Sequence, residues 1–274
     1  MSPHSKALSV LVAVACAAVL VAWLSSDRAE PDPVAPVRVG VPTSTTPDES
    51  RQPEPEPAGE APPSRSASLT LEVPQDASPV VWVRASERVE IRTEPNGGEL
   101  VENASRRTEF GSPSVFGVLR HEGEWAGIAT PSPPNGELGW VKLDPRRLRA
   151  GWTRTSIVVD LSERRAEVYE ADRLVRSFTV TIGAAESPTP TGRFAVTDTF
   201  RGDLSPVYGC CALALSATQP HLPSGWLGGR RIAIHGTTEA LGVAASNGCL
   251  RAADEDVSKL VGRVDLGTPV WIRT

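Results

Sequence analysis

Between residues 78 and 273 the apolar side chains come in short runs, nearly all of them closed by a cluster of turn-forming residues. The first part of this stretch holds Val80-Val81-Trp82-Val83, Val89-Glu90-Ile91-Arg92, Val115 to Leu119, Trp125 to Ile128 and Gly139 to Leu143. Between them lie clusters such as Glu94-Pro95-Asn96-Gly97-Gly98 and Pro131-Ser132-Pro133-Pro134-Asn135-Gly136. Runs this short are long enough for strands and too short for packed helices, and glycine and proline end each of them. The pattern therefore predicts a mainly β chain, with a small all-β barrel over 68–150. Trp125 and Trp140 read as core or edge packing, and no catalytic constellation is visible in this part.

From Trp152 the runs become more regular. Ser156-Ile157-Val158-Val159-Asp160-Leu161 and Ala166-Glu167-Val168-Tyr169 predict a hairpin around the polar turn Ser162 to Arg165. Leu174 to Ile182, Arg193 to Phe200, Ala212 to Ser216, Arg231 to His235 and Thr268 to Arg273 predict further strands. The turn Ser187-Pro188-Thr189-Pro190-Thr191-Gly192 leads into the second of these. One helix breaks the rule: Val257, Leu260, Val261 and Val264 share a helical face, and Asp254, Glu255 and Asp256 fill its first turn, where the dipole favours acids. Residues 151–274 thus read as a β-rich catalytic module with a helix near the C-terminus.

The front of the chain is different. Ala7 to Leu24 contains one clearly polar side chain, Ser9. At 1.5 Å per helical residue such a run reaches about 27 Å, close to the thickness of a bilayer core. It ends Ala22-Trp23-Leu24-Ser25-Ser26, without the small-residue pattern of a cleavage site, so an uncleaved anchor within 1–24 is favoured over a cleaved signal. Cys16 follows Ala13-Val14-Ala15 in the manner of a lipoprotein cysteine, but the apolar run continues past it. Lys6, the basic residue ahead of the run, points to an N-in, C-out orientation. Residues 30–66 then hold ten of the chain's 25 prolines with almost no aliphatics, which predicts a semi-extended, disordered linker over 25–67. An anchor and a stiff tether suit a domain held away from a membrane, in a cell wall. The net charge is −5 and no segment is basic enough for a nucleic-acid surface.

Beyond the apolar run the cysteines are Cys210, Cys211 and Cys249. An odd count outside the cytoplasm leaves at least one free thiol. Cys210 and Cys211 are neighbours, and bridging neighbours demands unusual geometry, so whether they are bridged stays open. A structural bridge from Cys249 to one of them is the bland alternative. Cys249 lies in Ser246-Asn247-Gly248-Cys249-Leu250-Arg251, fourteen positions after His235 in Ile232-Ala233-Ile234-His235-Gly236-Thr237. A thiol nucleophile needs a base or ion-pair partner, and backbone N–H groups facing the developing oxyanion, which a neighbouring glycine allows to come close. His235, Gly248 and Cys249 meet these needs within one short stretch. Zinc held by His221, His235, Cys249 and the adjacent cysteines is the rival, but no C-x-x-C or H-x-x-x-H spacing supports it.

At these residues the chain resembles the L,D-transpeptidase family, with its YkuD-type catalytic domain. That family shows a histidine, a loop, then Ser/Thr-His-Gly-Cys, an aliphatic residue and Asn or Arg. Here His235 is followed by ten residues and then Ser246-Asn247-Gly248-Cys249-Leu250-Arg251. Val158-Val159-Asp160-Leu161, Thr189-Pro190-Thr191-Gly192-Arg193-Phe194 and Gly267-Thr268-Pro269-Val270 also look like the family, so the resemblance covers about Thr153 to Thr274. Gly123-Glu124-Trp125 and Gly139-Trp140-Val141 resemble bacterial SH3-like modules, which precede this domain in actinobacterial members. Two features depart from the pattern: Asn247 stands where many members carry histidine, and the loop after His235 is short.

The resemblance implies a peptidoglycan enzyme without cofactor or metal. Cys249 would attack the carbonyl after the third residue of a stem peptide, releasing the terminal D-alanine and leaving a thioester. His235 would take the thiol proton and return it to the leaving amine, with the Gly236 carbonyl orienting the ring. Gly248 and Cys249 N–H groups would form the oxyanion hole, with Ser246, Asn247 and Arg251 as orienting neighbours. The acyl group would pass to a side-chain amine on a second stem, and carbapenems would trap Cys249. Water or a protein amine as acceptor would make an L,D-carboxypeptidase or an anchoring transferase instead. A non-catalytic wall-binding protein is the rival from another class, with Asn247 as its best support. Sortase-like chemistry fits less well, because its histidine lies much further upstream.

Overall fold

Strand formation follows the alternation wherever one face of a strand is covered. In β1 (Ser78–Val83) and β2 (Val89–Arg92), Val81, Val83, Val89 and Ile91 turn inward, Val81 and Ile91 completely. With β3 (Leu100–Ala104), β4 (Val115–Glu122), β5 (Trp125–Ile128), β6 (Gly139–Lys142) and β7 (Leu148–Thr153) they form one seven-stranded sheet. Its order is β3-β2-β6-β5-β4-β1-β7, and every neighbouring pair is antiparallel. Phe116, Val118, Ile128, Val141, Leu143 and Leu148 complete its core. The structure is a computed structural model and describes residues 68–84, 88–226 and 229–274. The expected anchor and proline-rich linker lie outside them; among the described residues no helix is long and apolar enough to cross a membrane.

Two strands of this sheet, β3 and β7, were not visible in the pattern, and both are edge strands. In β3 only Ala104 is buried, so an alternation has nothing to record. Trp140 is buried, whereas Trp125 is half-buried and donates its Nε1–H to Asn96 Oδ1 at 2.9 Å. Both are packing residues of the sheet.

The second sheet is built from β8 (Thr155–Asp160), β9 (Arg165–Glu170), β10 (Arg173–Thr179), β12 (Gly192–Arg201), β13 (Cys211–Thr218), β14 (Arg231–Thr237), β16 (Leu250–Ala253) and β17 (Pro269–Arg273). Its order is β10-β9-β8-β17-β12-β13-β14-β16. β11 (Ile182–Gly183) and β15 (Ala244–Ser246) form a separate parallel pair. The expected run from Leu174 to Ile182 is therefore broken: β10 stops at Thr179, and Val180 is fully buried before the chain turns into β11. The single α-helix among the described residues, α1 (Asp254–Val261), buries Val257, Leu260 and Val261 as its period predicts. Val264 is buried too, but just beyond the helix end.

Two glycines let the sheets approach. A Cβ on Gly117 in β4 would meet the Gly267 carbonyl at 2.7 Å, and one on Gly267, at φ +83, would meet Val80 Cγ1 at 2.7 Å. Polar side chains cross the same seam: Thr108 Oγ1 donates to Asp198 Oδ1, and Arg231 Nη1 meets Glu109 Oε1 at 2.7 Å. Both sheets accordingly fall within one compact unit, Ala61–Thr274.

Candidate active site

The parallel pairing of β14 with β16 places the nucleophile candidate. Its register sets Ile234 against Leu250 and His235 against Arg251, so Cys249, the residue before β16, lies level with Ala233. Cys249 Sγ is 4.0 Å from the Arg231 carbonyl on the same strand. Cys249 and His235 line one cleft together with Tyr208, Gln219, Trp226 and Arg251. A larger cavity of about 310 Å³ opens among residues such as Arg88, Glu102, Phe116 and Thr197, but neither a cysteine nor a histidine lines it.

His235 is buried at 3% exposure, and β14 continues two residues past it rather than ending there. Its Nδ1 lies 2.8 Å from the Gly236 carbonyl oxygen. A carbonyl only accepts, so Nδ1 carries the proton and Nε2 keeps its lone pair. Tyr208 packs edge-on against the ring, 5.1 Å between centroids. Burial is the main cause that lowers the His235 pKa from 6.5, against the opposing pull of the Gly236 carbonyl. The glycine is required: a Cβ on Gly236 would fall 2.1 Å from Asp254 Oδ1. That same Asp254 oxygen accepts the Cys210 N–H at 3.1 Å, which ties the start of α1 to the back of the histidine.

Cys249 is a free, partly exposed thiol, and Cys210 and Cys211 are bridged to each other. The alternative of Cys249 as a structural half-cystine is thereby excluded. Burial raises the thiol pKa above its ordinary 9.0, although Arg251 and the backbone at Ala233 pull the other way. Resting cysteine and histidine are therefore both neutral near pH 7. Among the described residues no three His, Cys, Asp or Glu side chains gather as a metal site. His221 uses its backbone: its N–H donates to Gln219 and its carbonyl accepts from Ser187 Oγ at 2.8 Å.

Side-chain hydrogen bonds shape the nucleophile loop from three sides. Ser246 Oγ accepts the Gly248 N–H at 3.1 Å and donates to the Cys249 carbonyl at 2.6 Å. Thr189 Oγ1 donates to the Gly248 carbonyl at 2.9 Å and accepts the Gly183 N–H at 2.8 Å. Gln219 Nε2 donates to the Asn247 carbonyl at 3.2 Å. Gly248 sits at φ +108, a region that disfavours any side chain. Arg251 is paired with Glu239 and hydrogen-bonds through its backbone with Thr181, N–H to carbonyl at 3.0 Å. Asn247 and Arg251 both face the cleft, so all seven expected site residues cluster around it or the loop that bounds it.

Sequence reasoning missed Tyr208, Thr189 and Gln219 as parts of this site. Thr189 belongs to a turn that already looked like the family; Tyr208 and Gln219 carry no local signal.

Comparison with known proteins agrees with the motif. Residues 154–272 match the model of the YkuD family, the L,D-transpeptidase catalytic domain. The Bacillus licheniformis protein assigned as L,D-transpeptidase YkuD is 32% identical over 118 residues, 42% of this chain and 64% of that protein. Its Bacillus subtilis counterpart is 28% identical over 118 residues with the same coverage. The chain thus spans 64% of the length of these curated relatives. L,D-transpeptidase 3 from Mycobacterium tuberculosis, a crystal structure, shows 17% identity and a TM-score of 0.37, covering 50% of this chain and 74% of that one.

Proposed function

We propose, from the match of residues 154–272 to the YkuD model of L,D-transpeptidase catalytic domains, that this protein cross-links peptidoglycan stems through a thioester on Cys249. The observation that carries the reading is the shared cleft of Cys249 and His235, with Nδ1 of the histidine fixed on the Gly236 carbonyl. Because both groups rest neutral, His235 acts as a general base during attack rather than as half of a standing ion pair.

The chemistry runs in two halves. As Cys249 Sγ bonds to the stem carbonyl carbon, its proton moves to His235 Nε2 and the carbonyl electrons move to oxygen. The oxyanion collapses, the C–N bond to the terminal D-alanine breaks, and Nε2 returns its proton to the departing amine. An acceptor amine then attacks the thioester, loses a proton to Nε2, and the thiol leaves with it. The Gly248 N–H is engaged by Ser246 Oγ, so Cys249 N–H is the principal oxyanion donor in this proposal. Asn247 supplies its carbonyl to Gln219, so the absence of a histidine side chain there leaves the loop anchored by its backbone.

A peptidoglycan substrate places the domain outside the cytoplasm, in keeping with an anchor within 1–24 and a proline-rich tether over 25–67. Intact-mass analysis after incubation with a carbapenem tests the nucleophile: one adduct is expected on the wild-type chain and none on Cys249→Ala. An equal adduct on both would sink the assignment. Muropeptide analysis with tetrapeptide stems then reads the acceptor, and cross-linked dimers, not tripeptides alone, are expected.

A further inference from the structure

The nucleophile loop is gripped by a side chain that this chemistry leaves unused. Gln219 follows β13, is 3% exposed and forms part of the cleft wall. Its Nε2 donates to the Asn247 carbonyl at 3.2 Å and to the Pro188 carbonyl at 3.0 Å. Its Oε1 accepts the His221 N–H at 3.0 Å, and its backbone N–H donates to the Arg230 carbonyl at 2.7 Å. One buried amide therefore uses both N–H groups and an oxygen lone pair to join the turn before β12, the nucleophile loop and the loop entering β14. Its nitrogen also lies flush against the loop: a Cβ on Gly248 would sit 2.2 Å from it.

A peptide unit is planar and trans, so fixing its carbonyl also fixes the direction of its N–H. Gln219 holds the Asn247 carbonyl and thereby orients the Gly248 N–H. Thr189 holds the Gly248 carbonyl and thereby orients the Cys249 N–H. Two consecutive peptide planes next to the nucleophile are set by two side chains that take no part in making or breaking bonds in this proposal.

Gln219 is itself placed from the first sheet. Asn135, in the connection between β5 and β6, donates Nδ2 to the Thr218 carbonyl at 2.6 Å and accepts the Thr218 N–H on Oδ1 at 2.9 Å. This two-point grip pins the last residue of β13, directly before Gln219. An unbroken chain of hydrogen bonds and covalent bonds runs from Asn135 through Thr218 and Gln219 to Asn247, two residues from Cys249.

We propose that Asn135 and Gln219 are positioning residues for acylation of Cys249, through which the first sheet holds the nucleophile loop in its oxyanion-binding shape. The role rests on the acyl-transfer reading above. It makes the first sheet a working part of the active site in addition to any binding it performs.

The test uses the full chain and three measurements: carbapenem acylation rate, alkylation of Cys249 by iodoacetamide, and amide hydrogen exchange over 246–249. Gln219→Met keeps the shape and removes the grip; acylation is expected to slow by about 10- to 100-fold, the range for a displaced catalytic group. Alkylation is expected to stay at the wild-type rate, since displacement at an sp³ carbon builds no oxyanion. Asn135→Ala, at a partly exposed position, slows acylation in the same direction without a core change. The double variant is no slower than Gln219→Met, because the two act in series. Exchange over 246–249 rises in every variant. Acylation at the wild-type rate, equal loss of acylation and alkylation, or unchanged exchange would each overturn the proposal. A wild-type chain that takes no carbapenem adduct overturns the transpeptidase reading alone, because the exchange measurement still decides the positioning role.

Discussion

At His235 the Gly236 carbonyl fixes the proton on Nδ1 while burial lowers the ring's pKa from 6.5; at Cys249 burial moves the thiol the opposite way, above 9.0. Two consequences are measurable. Alkylation of Cys249 by iodoacetamide should climb without a neutral plateau and inflect above pH 9.0, the ordinary thiol value. A plateau reached below pH 7 would show a standing thiolate. His235→Ala should keep that alkaline limb and slow carbapenem acylation at pH 7 by about 10²–10⁴, the usual worth of a general base. The histidine also makes stability pH-dependent. Its folded pKa lies below the unfolded 6.5, so the unfolded chain binds the proton first. Stability is therefore complete above pH 6.5 and falls as the pH drops through the window below it. Asp160 and Glu255, lowered from 3.8 and 4.5 by hydrogen bonds to Glu163 and Lys259, act only at lower pH. The melting temperature of His235→Gln should thus fall less between pH 6.5 and pH 5 than that of the wild type, in thermal scans monitored by tryptophan fluorescence. At this scale the sequence singled out Cys249 and His235, which the structure brings to one cleft, because glycine-flanked cysteine and strand-borne histidine leave a local pattern. Gln219 and Tyr208 leave none, since a lone polar residue acquires its role only from what folding brings beside it.

Among the elements, those with a covered face were legible and those without were not. The period of Val257, Leu260 and Val261 marks α1, and the alternation of Ile157 and Val159 marks β8. β15 and β16, which bracket Cys249, are three and four residues long and left no such record. Their pairing is nonlocal: β16 joins β14 in parallel, so the chain must cross over between them, and the crossover carries the reactive loop. Asp254 shows how an element's composition can mislead. Its place in the first turn of α1 suits the helix dipole, yet its side chain accepts the Cys210 N–H and does not cap the helix. Glycine sets the shape of the crossover. Gly248→Ala would force a side chain into φ +108 and drive its Cβ onto Gln219 Nε2. Strain of that kind costs about 1–3 kcal/mol. For a folded unit of this size it corresponds to roughly 2–12 °C in melting temperature. Acylation by a carbapenem should drop with it, because the nucleophile and the Cys249 N–H share the displaced loop. A variant that melts and acylates like the wild type would show that the loop tolerates a different path.

For the molecule as a whole, the seam between the two sheets is what local patterns conceal most completely. Asp198 sits in the strand expected from Arg193 to Phe200, and nothing nearby in sequence predicts a partner. In the structure its carboxylate is fully buried against the first sheet, Oδ1 taking a hydrogen bond from Thr108 Oγ1 and Oδ2 without a partner among the described residues. Gly117 and Gly267 remove the side chains that would hold the sheets apart there. The result is a close interface that concentrates one acidic group where water does not reach. Removing its donor should then be costly out of proportion to one hydrogen bond, because a buried acceptor left unpaired keeps its full desolvation penalty. Thr108→Ala is expected to destabilise by about 3 kcal/mol, the order seen when a buried charged group loses a partner. That amounts to roughly 6–12 °C in melting temperature for a unit of this length. Since the lost bond joins the sheets, the loss should appear in one cooperative transition, with the near-ultraviolet signals of tryptophans in both sheets changing together. The compensating substitution separates a seam effect from a local one. Asp198→Asn lowers the cost of burying the group, so the double variant should recover part of the melting temperature, giving a coupling of the two sites far from additive. Additive losses, or a Thr108→Ala chain that melts within a degree of the wild type, would mean that the apolar contacts around Gly117 and Gly267 hold the sheets together without Asp198.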